Sequence, residues 1–102
     1  MQTYILTAAA GADLREVVRY TRRQWGEVQA RRYAGRLRSC IQALATGEGV
    51  HRDAGVFYPG LRMARCDHHL VYCLPQTDAP ALIVAILHER MDLASRIEGR
   101  MG

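Results

Sequence analysis

The sequence predicts an α+β domain, β-α-α-β-β-β, in which an antiparallel helix hairpin packs on a small, mainly antiparallel sheet. Three observations lead there. Two consecutive stretches carry apolar residues at helical spacing and are parted by one residue, Gly26. Downstream, the segments Leu61–Cys66, His69–Leu74 and Ala81–His88 read as strands divided by turn-forming residues. The last begins with seven consecutive apolar residues, Ala81 to Leu87, too few to span a membrane and suited to a strand buried on both faces.

Each element has a local reason. Tyr4-Ile5-Leu6 is a short first strand, and Thr7 is placed to cap the helix that Ala8-Ala9-Ala10 begins. Leu14, Val17, Val18, Thr21 and Trp25 form one helix face, opposite Arg15, Arg19, Arg22 and Arg23. After Gly26, a second stripe runs through Ala30, Tyr33, Leu37, Cys40/Ile41 and Leu44, with Arg31, Arg32, Arg36 and Arg38 on the polar side and Gly47 just past the end. At this spacing Trp25 and Tyr33 both read as core residues. Thr46–Gly60, with four glycines and Pro59, reads as a loop. Leu61 and Met63 alternate with Arg62 in the next strand, where Arg65 is read with Arg62 on the polar side. Asp67-His68 is a turn, and in His69–Leu74 the residues Leu70, Tyr72 and Leu74 oppose Val71 and Cys73. Pro75–Pro80 reads as a second turn, and Ala81–His88 as the most central strand. Met91–Gly102 has the makings of a short helix that Gly99 would limit. The whole, residues 1–102, is one domain with a core of about 3–93 and a tail over 94–102.

Charge is distributed unevenly. All fourteen cationic residues are arginine, and eight precede Ile41 against three acids there, so the first forty residues carry +5 and the remainder −1. An excess of this kind attracts an acidic partner, either nucleic acid or an acidic protein segment. Three cysteines, an odd number, do not suggest a secreted disulfide framework, and the first residues lack the basic start of a signal peptide, which points to a reducing cytoplasm.

Few groups suggest chemistry. Cys66-x-His68-His69-x-x-x-Cys73 contains zinc-ligand residue types, but pairing of the strands that hold the two cysteines separates them, and they read instead as small apolar packers. His51 reads as solvated. His88, at the end of the apolar run beside Glu89, Arg90 and Asp92, is a candidate acid or base near neutral pH. Arg62, Arg65 and Arg90 are a candidate anion-binding cluster. No phosphate loop, Ser-His-acid pattern or paired carboxylates accompany them, so no catalytic set, metal or cofactor is expected.

Several landmarks together resemble the ParE branch of the RelE/ParE superfamily, the toxins of bacterial type II toxin–antitoxin systems. They are Ala10-x-x-Asp13-Leu14, Trp25-Gly26, Ala30-x-x-Tyr33-x-x-x-Leu37, the stretch from Arg62-x-x-Arg65 to His68-x-Leu70-Val71-Tyr72, and Ile86-Leu87-His88-x-x-Met91-Asp92. The resemblance spans about Tyr4 to Leu93. It implies a RelE/ParE-like fold and a toxin that traps DNA gyrase with cleaved DNA, causing growth arrest and serving plasmid stabilisation. RelE-like members instead cut messenger RNA on the ribosome, using basic residues in which lysine is prominent. This chain has no lysine and no tyrosine after His88, which favours gyrase inhibition over the alternative of a ribosome-dependent mRNA endonuclease.

The resemblance also implies a partner, a ParD-like antitoxin whose helical, acidic tail covers the helix hairpin and sheet, giving a toxin–antitoxin hetero-oligomer. On this reading His88, Glu89, Arg90, Met91, Asp92 and Leu93, with Arg62 and Arg65, face gyrase and possible indirect DNA contacts. Arg15, Arg19, Arg22, Arg31 and Arg38 face the antitoxin. No membrane association is expected.

Overall fold

Residues 3–89 and 93–101 are described by a computed structural model. Its element order is β1 (Tyr4–Leu6), α1 (Ala8–Trp25), α2 (Glu27–Thr46), β2 (Arg52–Asp53), β3 (Arg62–Cys66), β4 (His69–Gln76), β5 (Ala79–His88) and α3 (Leu93–Met101). The five strands form one sheet in the order β1-β5-β4-β3-β2, with β1 parallel to β5 and the other pairs antiparallel.

The helix hairpin forms as the sequence predicts. The Thr7 hydroxyl accepts from the Ala10 amide at 3.1 Å, capping α1. Gly26 alone joins the helices at φ +90°, closing α1 through its N–H to Arg22 O (2.9 Å) and opening α2 through its carbonyl to Ala30 N (3.1 Å). Gly47, at φ +78°, ends α2 in the left-handed conformation that glycine adopts most readily. The buried stripe of α2 is Ala30, Tyr33, Ala34, Leu37, Ile41 and Leu44. With Ala10 and Val17 of α1, most of this stripe packs on the sheet face formed by Ala64, Cys66, Val71, Cys73, Ala81, Ile83 and Ile86.

The opposite face is also covered. Ile97 of α3, fully buried, joins Ala54, Leu61, Leu70, Tyr72, Val84, Ala85 and Leu87, and Phe57 meets Tyr72 edge-on at 6.3 Å between ring centroids. The segment expected as a tail therefore belongs to the second core layer, and Gly99 is accommodated within its helix.

Five local expectations change. The loop after α2 contains the two-residue strand β2, which pairs with Arg62 and Met63. The second turn shrinks to Thr77-Asp78, because β4 continues to Gln76 and β5 starts at Ala79. Pro75 sits where the ladder skips, between Leu74 and Gln76, so its missing N–H costs no bond there. β4, not β5, occupies the middle of the sheet, although both are interior. Trp25 is 72% exposed at the hairpin end, because the stripe of α1 runs past the edge of the sheet there. The cysteines differ most: Cys40 of α2 and Cys66 of β3 form a disulfide with a Cα–Cα distance of 6.1 Å, leaving Cys73 free and buried.

A bulge in β5 decides which side chains meet. Tyr72 pairs with Ala85 and Cys73 with Ile83, so Val84 is an extra residue. Beyond it the alternation inverts: Ala81 and Ile83 face the helices before the bulge, and Ile86 faces them after it. β1 pairs only as far as Ile83, which leaves the outer edge of β5 open at this point. Two charged side chains close it. Asp13 Oδ2 accepts from the Ile86 amide at 2.9 Å, and Arg100 Nη1 donates to Val84 O at 3.0 Å. They also pair with each other, Arg100 Nη2 to Asp13 Oδ1 at 2.8 Å, and that pairing holds the Arg100 guanidinium pKa above its ordinary value.

Candidate functional site

The inverted alternation turns His88 to the same side as Ile86, opposite His69 in the β4–β5 ladder. Their rings meet edge-on with centroids 5.5 Å apart. His69 Nδ1 lies 2.6 Å from the Tyr33 hydroxyl, which is also 3.4 Å from Cys66 O. Over the Tyr33 ring sits the Arg36 guanidinium, 5.5 Å from its centroid and bonded to Asp67 at 3.1 Å. Burial, then the neighbouring His88 and His68, push the His69 pKa down to about 4, so the ring is neutral at neutral pH. A neutral imidazole has one ring nitrogen to accept the Tyr33 proton, and burial correspondingly raises the pKa of the Tyr33 hydroxyl. The pair is thus an internal acceptor and donor.

These residues line an open groove of about 930 Å³ between the hairpin and the β4–β5 end. Val17, Tyr20, Trp25, Ile86 and Arg96 complete much of its wall. Tyr20 is 56% exposed, and Val28, next to the hairpin turn, is 65% exposed. Exposed aromatic side chains beside charged ones are characteristic of protein-recognition surfaces.

At the rim, Glu89 donates its N–H to His68 O at 3.2 Å, and its carboxylate takes Arg65 and the His68 ring (3.7 Å). Burial opposes ionisation of Glu89, but Arg65 and His68 outweigh it and hold the carboxyl below its ordinary range. Glu89 and Arg65 therefore pair at the rim, whereas His88 meets His69 on the helix side of the sheet. Arg62 does not join them: three positions from Arg65, it lies on the opposite face of β3, the face of Ala64 and Cys66. Its guanidinium reaches Gly47 at the C-terminus of α2, where carbonyl dipoles favour a cation. The grouping of Arg62 with Arg65 is thus corrected by strand alternation. Leu93 opens α3 and packs, half-buried, on the second core cluster. Arg90, Met91 and Asp92 lie outside the described residues.

Arg15, Arg19, Arg22, Arg31 and Arg38 are all exposed on the hairpin. Arg19 pairs with Glu16, and Arg22 and Arg31 share Glu27, whose carboxyl the Arg22 hydrogen bond holds below its ordinary pKa. Among the described residues no three His, Cys, Asp or Glu side chains converge to hold a metal ion, since the Cys66 sulfur is committed to Cys40. Among the described residues no helix is long and apolar enough to cross a membrane.

The sequence reading missed the Tyr33–His69 pair, the Asp13–Arg100 pair and the disulfide. Only Asp13 carried a signal, an acid directly before the apolar stripe position Leu14.

The family model described as "ParE toxin of type II toxin-antitoxin system, parDE" matches residues 4–93. Toxin ParE of Escherichia coli is 57% identical over 101 residues, covering 99% of this chain and 98% of that protein. Toxin ParE1 of Mycobacterium tuberculosis is 30% identical over 90 residues, covering 88% of this chain and 92% of its own length. The fold matches a chain of the solved structure "Chromosomal ParDE TA system from P. aeruginosa" with a TM-score of 0.69 at 17% identity, covering 86% of this chain and 96% of that one. A match from β1 to the first residue of α3, with a relative identical at more than half its positions over nearly the full length, places the chain in the ParE toxin family of type II toxin–antitoxin systems.

Proposed function

We propose that this protein inhibits DNA gyrase by protein contact and so blocks replication, and that a ParD-like antitoxin neutralises it by covering the helix hairpin. The observation that carries the reading is the groove: exposed Trp25 and Tyr20 beside exposed arginines make a surface suited to holding a macromolecule. The polar groups of the groove are engaged with one another, Tyr33 with His69 inside it and Glu89 with Arg65 at its rim, which suits recognition better than proton transfer. The target-facing segment on this reading is His88–Leu93 with Arg65 at its base. Arg62 contributes positive charge near the end of α2 instead of direct contact. Arg15, Arg19, Arg22, Arg31 and Arg38 supply the charge that an acidic antitoxin segment meets, and folding of that segment on the hairpin would make the complex sensitive to salt.

The test is incubation of purified protein with gyrase, ATP and supercoiled plasmid. Linear DNA should accumulate after the proteins are digested, and added antitoxin should suppress it. Plasmid that stays supercoiled at large toxin excess overturns the proposal. Site-specific cutting of a message in a translation extract, with gyrase unaffected, would instead establish the mRNA endonuclease alternative.

A further inference from the structure

A second opening, about 670 Å³, lies between α2 and the end of β3, and the Cys40–Cys66 disulfide forms part of its wall. Arg32 and Arg36 of α2 line it together with Arg65 of β3 and Asp67, Ser39 adds a hydroxyl, and Gly35 leaves space where a side chain would stand. Two of the three arginines are partly neutralised, Arg36 by Asp67 and Arg65 by Glu89. Arg32 forms no ion pair with a described residue, and the wall as a whole is positive. The two sulfurs are not equally placed: Cys40 is half-buried, whereas Cys66 is 5% exposed. Cys73 is fully buried, with its thiol pKa pushed up to about 11 by burial, and takes no part in exchange.

We propose that Cys40–Cys66 is a reversible thiol–disulfide pair, and that the arginine-lined opening admits a small anionic thiol of the glutathione class to Cys40. In reduction the thiolate of the small molecule attacks Cys40 Sγ. The Cys40–Cys66 bond breaks, its electron pair leaves on Cys66, and that thiolate takes a proton from solvent. A second small thiolate attacks the small-molecule sulfur of the mixed disulfide, releasing Cys40 as a thiolate that is protonated in turn. In sum two small thiols become one small disulfide while the protein disulfide becomes two thiols. Oxidation runs the same steps backwards, and the cations beside Cys40 favour the thiolate that attacks.

The exchange reaches the groove through Cys66. Its carbonyl is 3.4 Å from the Tyr33 hydroxyl, and it pairs with His69 across the β3–β4 turn. Opening the disulfide releases the covalent tie between α2 and β3 next to the Tyr33–His69 contact. Disulfides in reducing compartments are typically transient or redox-sensing, and a pair reached through a charged opening fits that role.

The test uses the full-length protein. After incubation with oxidised glutathione, non-reducing mass spectrometry should find Cys40 joined to Cys66, and in Cys66→Ser the glutathione adduct should map to Cys40. Reduction of the oxidised protein should be faster with glutathione than with the cationic thiol cysteamine, after correction for their rates on a small disulfide. That preference should be roughly tenfold at low salt and should largely vanish in Arg32→Gln/Arg36→Gln. Failure of the linkage to form, an adduct on Cys73, or equal rates for the anionic and cationic thiols would each overturn the proposal.

Discussion

At the scale of single residues, two polar contacts do work that apolar packing cannot. Asp13 accepts the amide that the Val84 bulge leaves outside the ladder, and Arg100 takes the matching carbonyl. With side chains only 14% and 20% exposed, loss of one partner strands the other charge and an unmet backbone group. Asp13→Ala should destabilise the fold by about 2–4 kcal/mol in urea titrations. Adding Arg100→Ala should then cost much less than Arg100→Ala does alone; additive losses would show that the two side chains act independently. His69 sets a pH dependence. Its folded pKa of about 4 lies below the ordinary 6.5, so the unfolded chain binds the proton first. Its contribution is complete above pH 6.5 and is lost as pH falls towards 4. Because the ring is partly exposed, the loss is about 1–2 kcal/mol. Stability measured from pH 7 to 5 should therefore fall more steeply in the wild type than in His69→Gln, and identical slopes would remove His69 as the cause.

At the scale of elements, helix stripes and turn residues were legible because each follows from local chemistry. Thr7, Gly26 and Gly47 end and begin helices by bonds to residues at most four positions away. Gly26→Ala meets no atom within 4 Å, yet the φ of +90° is strained for any residue with a Cβ. It should cost about 1–3 kcal/mol in thermal or urea unfolding. An unchanged midpoint would mean the helix junction relaxes to another conformation. Strand limits were less legible. Pro75 and Pro80 signal a turn by composition, but a skipped ladder position absorbs Pro75, and that skip depends on how β4 and β5 register. The Arg62/Arg65 grouping failed for a simpler reason: residues three apart on a strand point to opposite faces.

At the scale of the molecule, the helix hairpin covers one sheet face, α3 with the β2–β3 region covers the other, and a groove remains at one end. Trp25, Tyr20 and Val28 collect at the hairpin end without contributing to the core. Trp25→Ala/Tyr20→Ala should leave the unfolding midpoint nearly unchanged while weakening antitoxin binding at least tenfold, as loss of a central aromatic anchor does. Calorimetric titration with the antitoxin reads this directly, and unaltered affinity would move the docking surface elsewhere. Arg15→Ala and Arg38→Ala, by contrast, should act mainly on association rate and its salt dependence.

Helix positions, the two-sided burial of Ala81–Leu87, the arginine-rich hairpin and the family landmarks were all determined by the sequence alone, since each depends on residues close together in the chain. Tertiary structure alone decided the partners of Asp13, His69 and Cys40, which lie 87, 36 and 26 positions away at Arg100, Tyr33 and Cys66. One extra residue in β5 governs much of this outcome. Val84 inverts the alternation that follows it and brings Ile86 and His88 to the helix side. The pattern of apolar residues cannot reveal that inversion, because in a strand buried on both faces every position is apolar whichever way it points.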